Sequence, residues 1–280
     1  MIAIADSGST KTLWSFITRS MEVKTIYTSG MNPNFITDED CRTITMQLLS
    51  QTTNSNEPLE EIFFYGAGCG TNKGKETIQQ LLEKIFPATN IKVDTDMLGA
   101  CIGSCGNGSG IVGILGTGSN SCLYSGGYII QNIPALGYIL CDEGSGNHIG
   151  KLLLKAYLRH TMPLELNAEF AKDYPGDKSY FIDNLYKQPF PNRFLASFAP
   201  FAYKHKKNDF VKELLQEVFL SFFEEQICLY PSYQNYKLSL VGSVAYYFAN
   251  EINAVAQQFG IEISSIQQSP IEGLIKYHCM

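Results

Sequence analysis

The sequence lacks both a long basic run and a long apolar run. Its 280 residues carry a formal net charge of −6, and Lys and Arg are scattered along the chain. A nucleic acid or an anionic membrane would need a broad positive surface, for which this chain offers no support. No stretch approaches the roughly 20 apolar residues of a membrane span, and Asp6 interrupts the amino terminus before a signal-peptide region could form. We therefore expect a soluble, cytoplasmic protein that acts on a small molecule.

Metal-binding patterns are also scarce. The four His residues are scattered, and the eight Cys residues contain no Cys-x-x-Cys run. In a chain of this size without a secretion signal, reduced thiols are expected rather than a disulfide framework. Cys101 and Cys105 lie four residues apart on a predicted helix, which leaves an iron–sulfur cluster as an alternative. A cluster generally takes four thiolates, so we favour small buried residues at both positions.

The sequence does contain enough apolar material for a large core. Hydrophobic residues make up 45% of the chain, and its length suits two domains. Residues 1–105 predict three strands, a helix, a strand, a helix, a strand and a helix. After residue 110 the same order of elements resumes, interrupted by a helical insertion at about 143–230. We predict an α/β protein of two duplicated domains, 1–106 and 107–280, with a ligand cleft between them.

One glycine-containing turn follows the first strand of each predicted domain. The two turns are DSGSTK at 6–11 and GTGSN at 116–120. Glycine lets backbone N–H groups and hydroxyls approach a phosphate closely. Asp6 ends a buried strand and is suited to hold Mg²⁺ through water. An ordinary hairpin turn is the alternative for the first loop alone, but a nucleotide needs both loops.

Five short segments carry a family resemblance. DSGSTK at 6–11, Thr95-Asp96, GTGSN at 116–120, DEGS at 142–145 and LVGSV at 240–244 occur in this order. Together they resemble the N-acetylglucosamine kinase and BadF/BadG-type ATPase family, within the actin-like, hexokinase-like ATPase superfamily, over nearly the whole chain. The resemblance implies two RNase H-like domains and an ATP- and Mg²⁺-dependent kinase acting on an amino sugar, first of all N-acetylglucosamine. A glucosamine or muramic-acid-type kinase, an ATPase that activates a partner protein, and a sugar sensor are the alternatives.

The resemblance also implies a role for particular residues. It places the general base at Asp96, which would contact the sugar, with Asp94 as the alternative, and Mg²⁺ at Asp6. Residues expected to bind the nucleotide are Ser9, Thr10, Lys11, Gly116, Thr117, Gly118, Ser119, Gly242 and Ser243. Residues expected to bind the sugar, besides Asp96, are Asn32, Ala135 and Asp142. The alternative interpretation of Asp94, Asp96 and Asp142 is that they cap helices. The alternative interpretation of Asn32 and Asn34 is that they only form a turn.

At two places this chain departs from the family pattern. The family usually has a Gly-Gly pair where this chain has Pro134-Ala135, and a glycine where it has Cys141. Proline removes a backbone donor and alanine adds a methyl group, so we expect a reshaped sugar pocket unless a neighbouring loop compensates. The sequence does not fix the oligomeric state, for which a homodimer is the candidate.

Overall fold

The computed structural model describes residues 1–52 and 57–280, with side chains described for 1–50 and 57–280. The chain separates into two compact units. The first contains Met1–Gly108, Gly126–Tyr128 and Ser269–Met280, and the second contains Ser109–Ser125 and Ile129–Gln268. The domain division predicted above differs from this one, since it placed residues 269–280 in the second domain.

The described residues form ten strands and thirteen α-helices. The elements up to residue 108 are β1 (Ile2–Ser7), β2 (Lys11–Ile17), β3 (Val23–Ser29), α1 (Asp38–Thr52), β4 (Glu61–Gly66), α2 (Asn72–Ile85), β5 (Asn90–Thr95) and α3 (Asp96–Cys105). The next elements are β6 (Ser109–Leu115), β7 (Ser119–Ser125), β8 (Tyr128–Ile133), α4 (Gly137–Leu140), α5 (Gly146–Leu158), α6 (Leu164–Asp173), α7 (Lys178–Tyr186), α8 (Pro191–Ala196), α9 (Ala199–Lys204) and α10 (Asp209–Glu225). The last elements are β9 (Leu238–Val241), α11 (Ser243–Tyr247), α12 (Ala249–Gln258), β10 (Ile263–Gln267) and α13 (Ile271–Cys279).

The first unit is built on a five-stranded sheet with the order β3-β2-β1-β4-β5. The first three strands form antiparallel pairs, whereas β1, β4 and β5 are parallel. Because side chains alternate along a strand, β4 presents Phe64 to one face and Phe63 and Tyr65 to the other. Phe64 packs with Trp14 in a core that also receives the inner faces of α1 and α2. Helices α3 and α13 lie on the opposite face of β4.

Close backbone packing explains why the last helix belongs to the first unit. A Cβ atom on Gly273 of α13 would lie only 1.8 Å from the carbonyl oxygen of Gly103 in α3, so the two helices touch through their backbones. Near the end of α13, the His278 ring stacks on Phe63 with ring centroids 3.7 Å apart. His278 Nε2 also lies 2.8 Å from the Tyr65 hydroxyl. Chain order alone could not show this partnership, because it depends on glycine placement in two helices distant in sequence.

The second unit repeats the sheet of the first. Its order is β10-β9-β6-β7-β8, with β6 and β7 antiparallel and with β6, β9 and β10 parallel. The predicted duplicated α/β fold with a helical insertion in its second half is confirmed. Helices α5 to α10 form that insertion, and α10 buries Val211, Leu215, Val218 and Phe222 in the same core as the sheet.

Several element bounds differ from the sequence expectation. The apolar pattern of the sequence predicts a single helix over 244–259, but this segment is divided at Phe248 into α11 and α12. The pattern also predicts a helix over 208–230, which in the structure ends at Glu225 and is followed by a 3₁₀ turn at Ile227–Leu229. Three short helices, α4, α8 and α9, were not expected, although prolines in the first turns of α8 and α9 suit helix starts. Within the described part of the chain, every helix is too short or too polar to cross a membrane.

Candidate functional site

The turn between β1 and β2 is closed by backbone contacts. The Gly8 N–H donates to the Lys11 carbonyl at 3.0 Å, and the Gly30 N–H donates to the Thr10 carbonyl at 3.0 Å. A Cβ atom on Gly30 would lie 2.6 Å from backbone atoms of Gly8 and Ser9, so only glycine fits there. The Lys11 ammonium lies exposed at the turn. The predicted phosphate-contacting residues Ser9, Thr10 and Lys11 thus form one ordered turn in the first unit.

Asn32 supports that turn through its side chain. It is buried, and its Nδ2 donates to Ser9 Oγ at 3.3 Å, while its Oδ1 accepts from the Asn34 N–H at 3.0 Å. The second contact is the side-chain turn that Asn commonly makes with the backbone two residues on. The structure therefore shows the turn-forming role for Asn32, and its sugar contact stays a prediction.

Asp6 lies near the carboxyl end of β1. Its Oδ2 accepts a hydrogen bond from the Ser269 hydroxyl at 2.6 Å. Burial raises the pKa of Asp6, while the Ser269 hydrogen bond and the Lys11 charge lower it. Ser269 was not found by sequence reasoning, because it lies just before α13, at the other end of the chain, and carries no motif.

Asp96 begins α3, but another residue caps that helix. The Thr95 hydroxyl accepts from the Leu98 N–H at 3.1 Å, which is the N-cap hydrogen bond. Asp96 Oδ1 accepts from the N–H of its own neighbour Met97 at 2.9 Å. Burial raises the pKa of Asp96 to about 6; the Met97 hydrogen bond opposes that change and the Asp6 charge adds to it. A carboxylate in this state can accept a proton near neutral pH.

Asp94 has a different environment although it lies only two residues away. Its Oδ1 is 2.9 Å from Lys75 Nζ and also accepts from the Thr95 N–H at 2.8 Å. The pair is partly exposed to solvent. Asp94 is thus an ion-paired acid at the end of β5, whereas burial and the charge of Asp6 raise the pKa of Asp96.

In the second unit, the loop between β6 and β7 is tied to the start of α5. The Gly116 N–H donates to the Gly118 carbonyl at 2.9 Å and tightens the loop. The Gly116 carbonyl accepts from the Gly146 N–H at 2.8 Å, and the Thr117 carbonyl accepts from the Asn147 N–H at 3.1 Å. The predicted phosphate loop is therefore held in shape by the first turn of a neighbouring helix.

Asp142 links the same loop to α5 through its two carboxylate oxygens. Its Oδ1 accepts from the Ser119 N–H at 3.1 Å, and its Oδ2 accepts from Asn147 Nδ2 at 2.7 Å. Burial raises the pKa of Asp142, and these two hydrogen bonds lower it. Ser145, and not Asp142, caps α5, because the Ser145 hydroxyl accepts from the His148 N–H at 3.2 Å. The structure thus connects Asp142 to the loop, and its predicted contact with a sugar remains a prediction.

Beside this loop lies a pocket of about 400 Å³, within the range of small-molecule sites. Gly242 makes the turn from β9 into α11. It has a φ of +119°, and a Cβ atom there would lie 2.3 Å from the Leu115 carbonyl. The pocket is mostly apolar and its polar side chains are hydroxyls. It is lined by Gly116, Thr117, Gly146, Ala196, Ala199, Pro200, Tyr203, Ser243, Val244, Tyr247 and Phe248. Three of the predicted residues thus meet in one pocket, whose other wall comes from the unexpected helices α8 and α9.

Ala135 lies apart from this network of hydrogen bonds. It is exposed, as are Pro134 and Leu136, in the segment between β8 and α4. Cys141 ends α4 immediately before Asp142. The proposed contact of Ala135 with a sugar rests on the family pattern alone.

The two sheets, with their helices and loops, have the actin-like ATPase fold, shared with ROK kinases and MamK. The chain belongs to the BadF/BadG/BcrA/BcrD ATPase family, whose model matches residues 5–268. The predicted family is confirmed. No curated protein sequence matches the chain significantly.

Three solved structures are similar to the chain over nearly its whole length. A Porphyromonas gingivalis protein named "Putative N-acetylglucosamine Kinase" is 38% identical, with 99% of this chain and 98% of that one covered and a TM-score of 0.92. A Chromobacterium violaceum protein of the same name is 17% identical, with 99% and 98% covered and a TM-score of 0.76. A Streptomyces griseus ROK glucokinase, solved with glucose and AMPPNP, is 12% identical, with 99% and 97% covered and a TM-score of 0.58. The last two similarities show the fold alone.

Proposed function

We propose that this chain is an ATP-dependent, Mg²⁺-requiring kinase that phosphorylates a hydroxyl of an amino sugar, with N-acetylglucosamine the first candidate. Family membership supports the use of ATP, and the name of the 38% identical relative supports the sugar. The observation that carries the proposal is the state of Asp96. Its carboxyl lies at the start of α3, does not serve as the helix cap, and has a pKa raised to about 6.

In this proposal Asp96 accepts the proton of the attacking hydroxyl. A positioned base of suitable pKa contributes about 10² to 10⁴ in rate. Asp94 is a poorer candidate because the Lys75 ammonium already neutralises it at 2.9 Å. The attacking hydroxyl would lose its proton only as the γ-phosphoryl group is transferred. The base must therefore lie close to that hydroxyl and be free of an ion pair, and it does not need a high pKa.

Asp6 is the proposed Mg²⁺ ligand. A carboxylate oxygen is a preferred donor for this hard cation, which keeps several of its waters. The residue fits because its carboxyl is held by Ser269 through one oxygen, and burial has raised its pKa, so a cation nearby would stabilise its charged form. When bound, Mg²⁺ supplies neutralisation of the triphosphate charge.

The nucleotide would be held by two loops and the pocket of the second unit. Backbone N–H groups and hydroxyls of the turns at 9–11 and 116–119 are suitable donors to phosphate oxygens. The aromatic and apolar pocket offers Tyr203 and Tyr247 to a purine, and Ser243 lies at its edge. Asn32, Ala135 and Asp142 are the proposed sugar-binding residues together with Asp96.

The family's description as ATPases supports one alternative of another class, a protein that hydrolyses ATP to activate a partner. A panel of hexoses in a coupled assay of ADP release separates these functions. We expect ADP release that depends on N-acetylglucosamine and is slower with glucosamine, a muramic-acid-type sugar or neutral hexoses. Slow release independent of any sugar would contradict the kinase and favour the activator. Sugar binding without any ADP release would indicate a sensor.

A further inference from the structure

Three buried polar side chains form a chain of contacts behind the loop at 116–119. Gln226 Nε2 lies 2.8 Å from Ser119 Oγ and 3.0 Å from Glu143 Oε2. Ser119 is 7% exposed, Gln226 7% and Glu143 8%. A buried carboxylate and a buried amide thus lie directly behind a hydroxyl of the proposed phosphate loop. The sequence assigned no role to either residue, although Glu143 lies in the DEGS segment at 142–145.

The chemistry of these groups fixes the direction of each hydrogen bond. A carboxylate oxygen accepts, so the Gln226 atom that faces Glu143 must be the amide nitrogen. That nitrogen can only donate, and Ser119 Oγ must therefore be the acceptor in the second contact. The hydrogen of the Ser119 hydroxyl is left available to another acceptor. Over the part of the chain that the structure describes, no acceptor takes it.

The backbone donor of Ser119 is already in use. Its N–H donates to Asp142 Oδ1 at 3.1 Å. A ligand bound at this loop would therefore receive its hydrogen bond from Ser119 through the hydroxyl rather than through the backbone. An anion such as a phosphate is the ligand that a donor-only hydroxyl suits best, since a hydrogen bond to a charged acceptor is the stronger kind.

The fold holds the two supporting residues in place. Gln226 directly follows α10, and Glu143 lies in the turn that precedes α5. In that turn Gly144 has a φ of +77°, and a Cβ atom there would lie 2.7 Å from Phe222 Cβ of α10. This contact fixes the distance between Glu143 and the end of α10. The insertion thus brings an amide from α10 to a loop more than a hundred residues earlier in the chain.

We propose that Glu143 and Gln226 are positioning residues that keep the Ser119 hydroxyl oriented as a donor to a phosphate group of the bound nucleotide. The inference rests on the nucleotide site of the proposed function. Glu143 orients the Gln226 amide, and the amide orients the hydroxyl, so neither residue needs to touch the nucleotide. If Gln226 had a purely structural role, it would only provide a hydrogen-bond partner for the buried Glu143 carboxylate and would not orient the Ser119 hydroxyl.

Binding of ADP and of adenosine separates these two roles. Gln226→Met keeps the size of the side chain and removes its donors, and Gln216→Met on the exposed face of α10 is the matched control. By calorimetry and competition, we expect Gln226→Met to weaken ADP about tenfold and adenosine less than about twofold, because only ADP carries phosphate. The Ser119→Ala, Gln226→Met double variant should bind ADP no more weakly than Ser119→Ala alone.

Other outcomes would overturn the inference. Equal weakening of ADP and adenosine, or additive losses in the double variant, would make Gln226 a structural residue. Glu143→Gln serves as a second test. An amide at position 143 can accept from the nitrogen of the Gln226 amide or donate to its oxygen, so it no longer fixes the orientation of Gln226. It should weaken ADP several-fold and leave adenosine unchanged, and unchanged ADP binding would contradict the proposed orientation. A wild-type protein that bound neither ligand would instead refute the nucleotide site itself.

Discussion

The two units share one sheet topology, and burial raises the pKa of an acid in each, but Asp96 and Asp142 differ in their hydrogen-bond partners. In the first unit, Asp96 accepts a hydrogen bond from its neighbour's backbone, and burial with a second acid nearby raises its pKa to about 6. In the second unit, Asp142 has both oxygens in hydrogen bonds, to Ser119 and Asn147. In the proposed function, the carboxylate with fewer partners acts as the base, and the carboxylate with both oxygens hydrogen-bonded holds a loop and is proposed to contact the sugar.

The loops that follow β1 and β6 show a similar division. The first is an exposed hairpin turn, with Lys11 at its end. The second is held by the first turn of α5 and is supported from behind by Gln226. The segment between β8 and β9 makes this difference, because it contains helices α4 to α10, whereas only α1 lies between the corresponding strands β3 and β4. Helices α5, α8 and α9 thus supply one part of the pocket wall, and the loop after β6 and helix α11 supply another.

The largest expected effect comes from removing the poised acid. Asp96→Asn should lower sugar phosphorylation by about 10² or more while ADP still binds, because a neutral amide cannot accept the hydroxyl proton. Asp94→Asn, the matched control, should lower it far less. Steady-state kinetics with both variants gives the answer. If Asp94→Asn were the more damaging change, the base would be assigned to the wrong acid.

A smaller loss is expected when Asp6 is changed. Asp6→Asn should lower turnover about tenfold or more at low Mg²⁺, and added Mg²⁺ should restore part of the rate, because the variant lacks the charge proposed to hold the metal. The measurement is a Mg²⁺ titration of initial rates with wild type and variant. An unchanged rate and an unchanged metal dependence would make Asp6 a turn residue only.

The raised pKa of Asp96 also predicts an effect on stability without ligands or Mg²⁺. Between about pH 4 and pH 6 the folded chain holds a proton that the unfolded chain has lost, so stability falls as pH rises through this range. Above pH 6 Asp96 is charged in the folded chain, and the full cost of burying that charge lowers the free energy of unfolding. Asp96→Asn should then raise the free energy of unfolding by about 1 to 3 kcal/mol at pH 8. The gain should shrink toward zero near pH 4.

Thermal or urea unfolding at both pH values provides the test, with Asp94→Asn as the control. The control loses an ion pair with Lys75 and should gain no stability. An Asp96→Asn variant less stable than the wild type at pH 8 would contradict a free-energy cost of the charged Asp96 carboxylate in the folded chain.

The smallest expected effect compares two glycines of one loop. A Cβ atom on Gly118 would lie 2.8 Å from the Asp142 carboxylate, whereas one on Gly116 would meet nothing within 4 Å. Gly118→Ala should therefore destabilise the fold by about 1 to 2 kcal/mol and Gly116→Ala by less than about 0.5 kcal/mol. Calorimetric melting of both variants measures the difference. Equal melting temperatures would show that Asp142 can move away from the loop at little cost.

Much of this architecture is predictable from sequence. Strands β1, β4, β6 and β9 are short apolar runs that lead into an acid or a glycine, and α10 shows a clear apolar face, so their period and length identify them. The break at Phe248 could not be predicted, because no glycine or proline marks it. The placement of α13 in the first unit depends on the contact of Gly273 with Gly103, which leaves no periodic signal.

The candidate site is predictable only where its residues lie in a motif. The acids and the two glycine loops follow strand ends, and Thr95 and Ser145 stand where N-cap residues are expected, so both caps could have been recognised. Ser269 and Gln226 could not. Each contacts a motif residue from more than a hundred positions away, and a single Ser or Gln has no distinguishing pattern of its own.

The stoichiometry between ADP and phosphorylated sugar tests the central claim most directly. Wild-type protein with ATP, Mg²⁺ and N-acetylglucosamine should form one sugar phosphate for each ADP, measured by mass spectrometry beside a coupled ADP assay. Omitting the sugar should abolish both products. ADP formed at the same rate without the sugar, with no phosphorylated sugar in its presence, would contradict the kinase mechanism and the role given to Asp96.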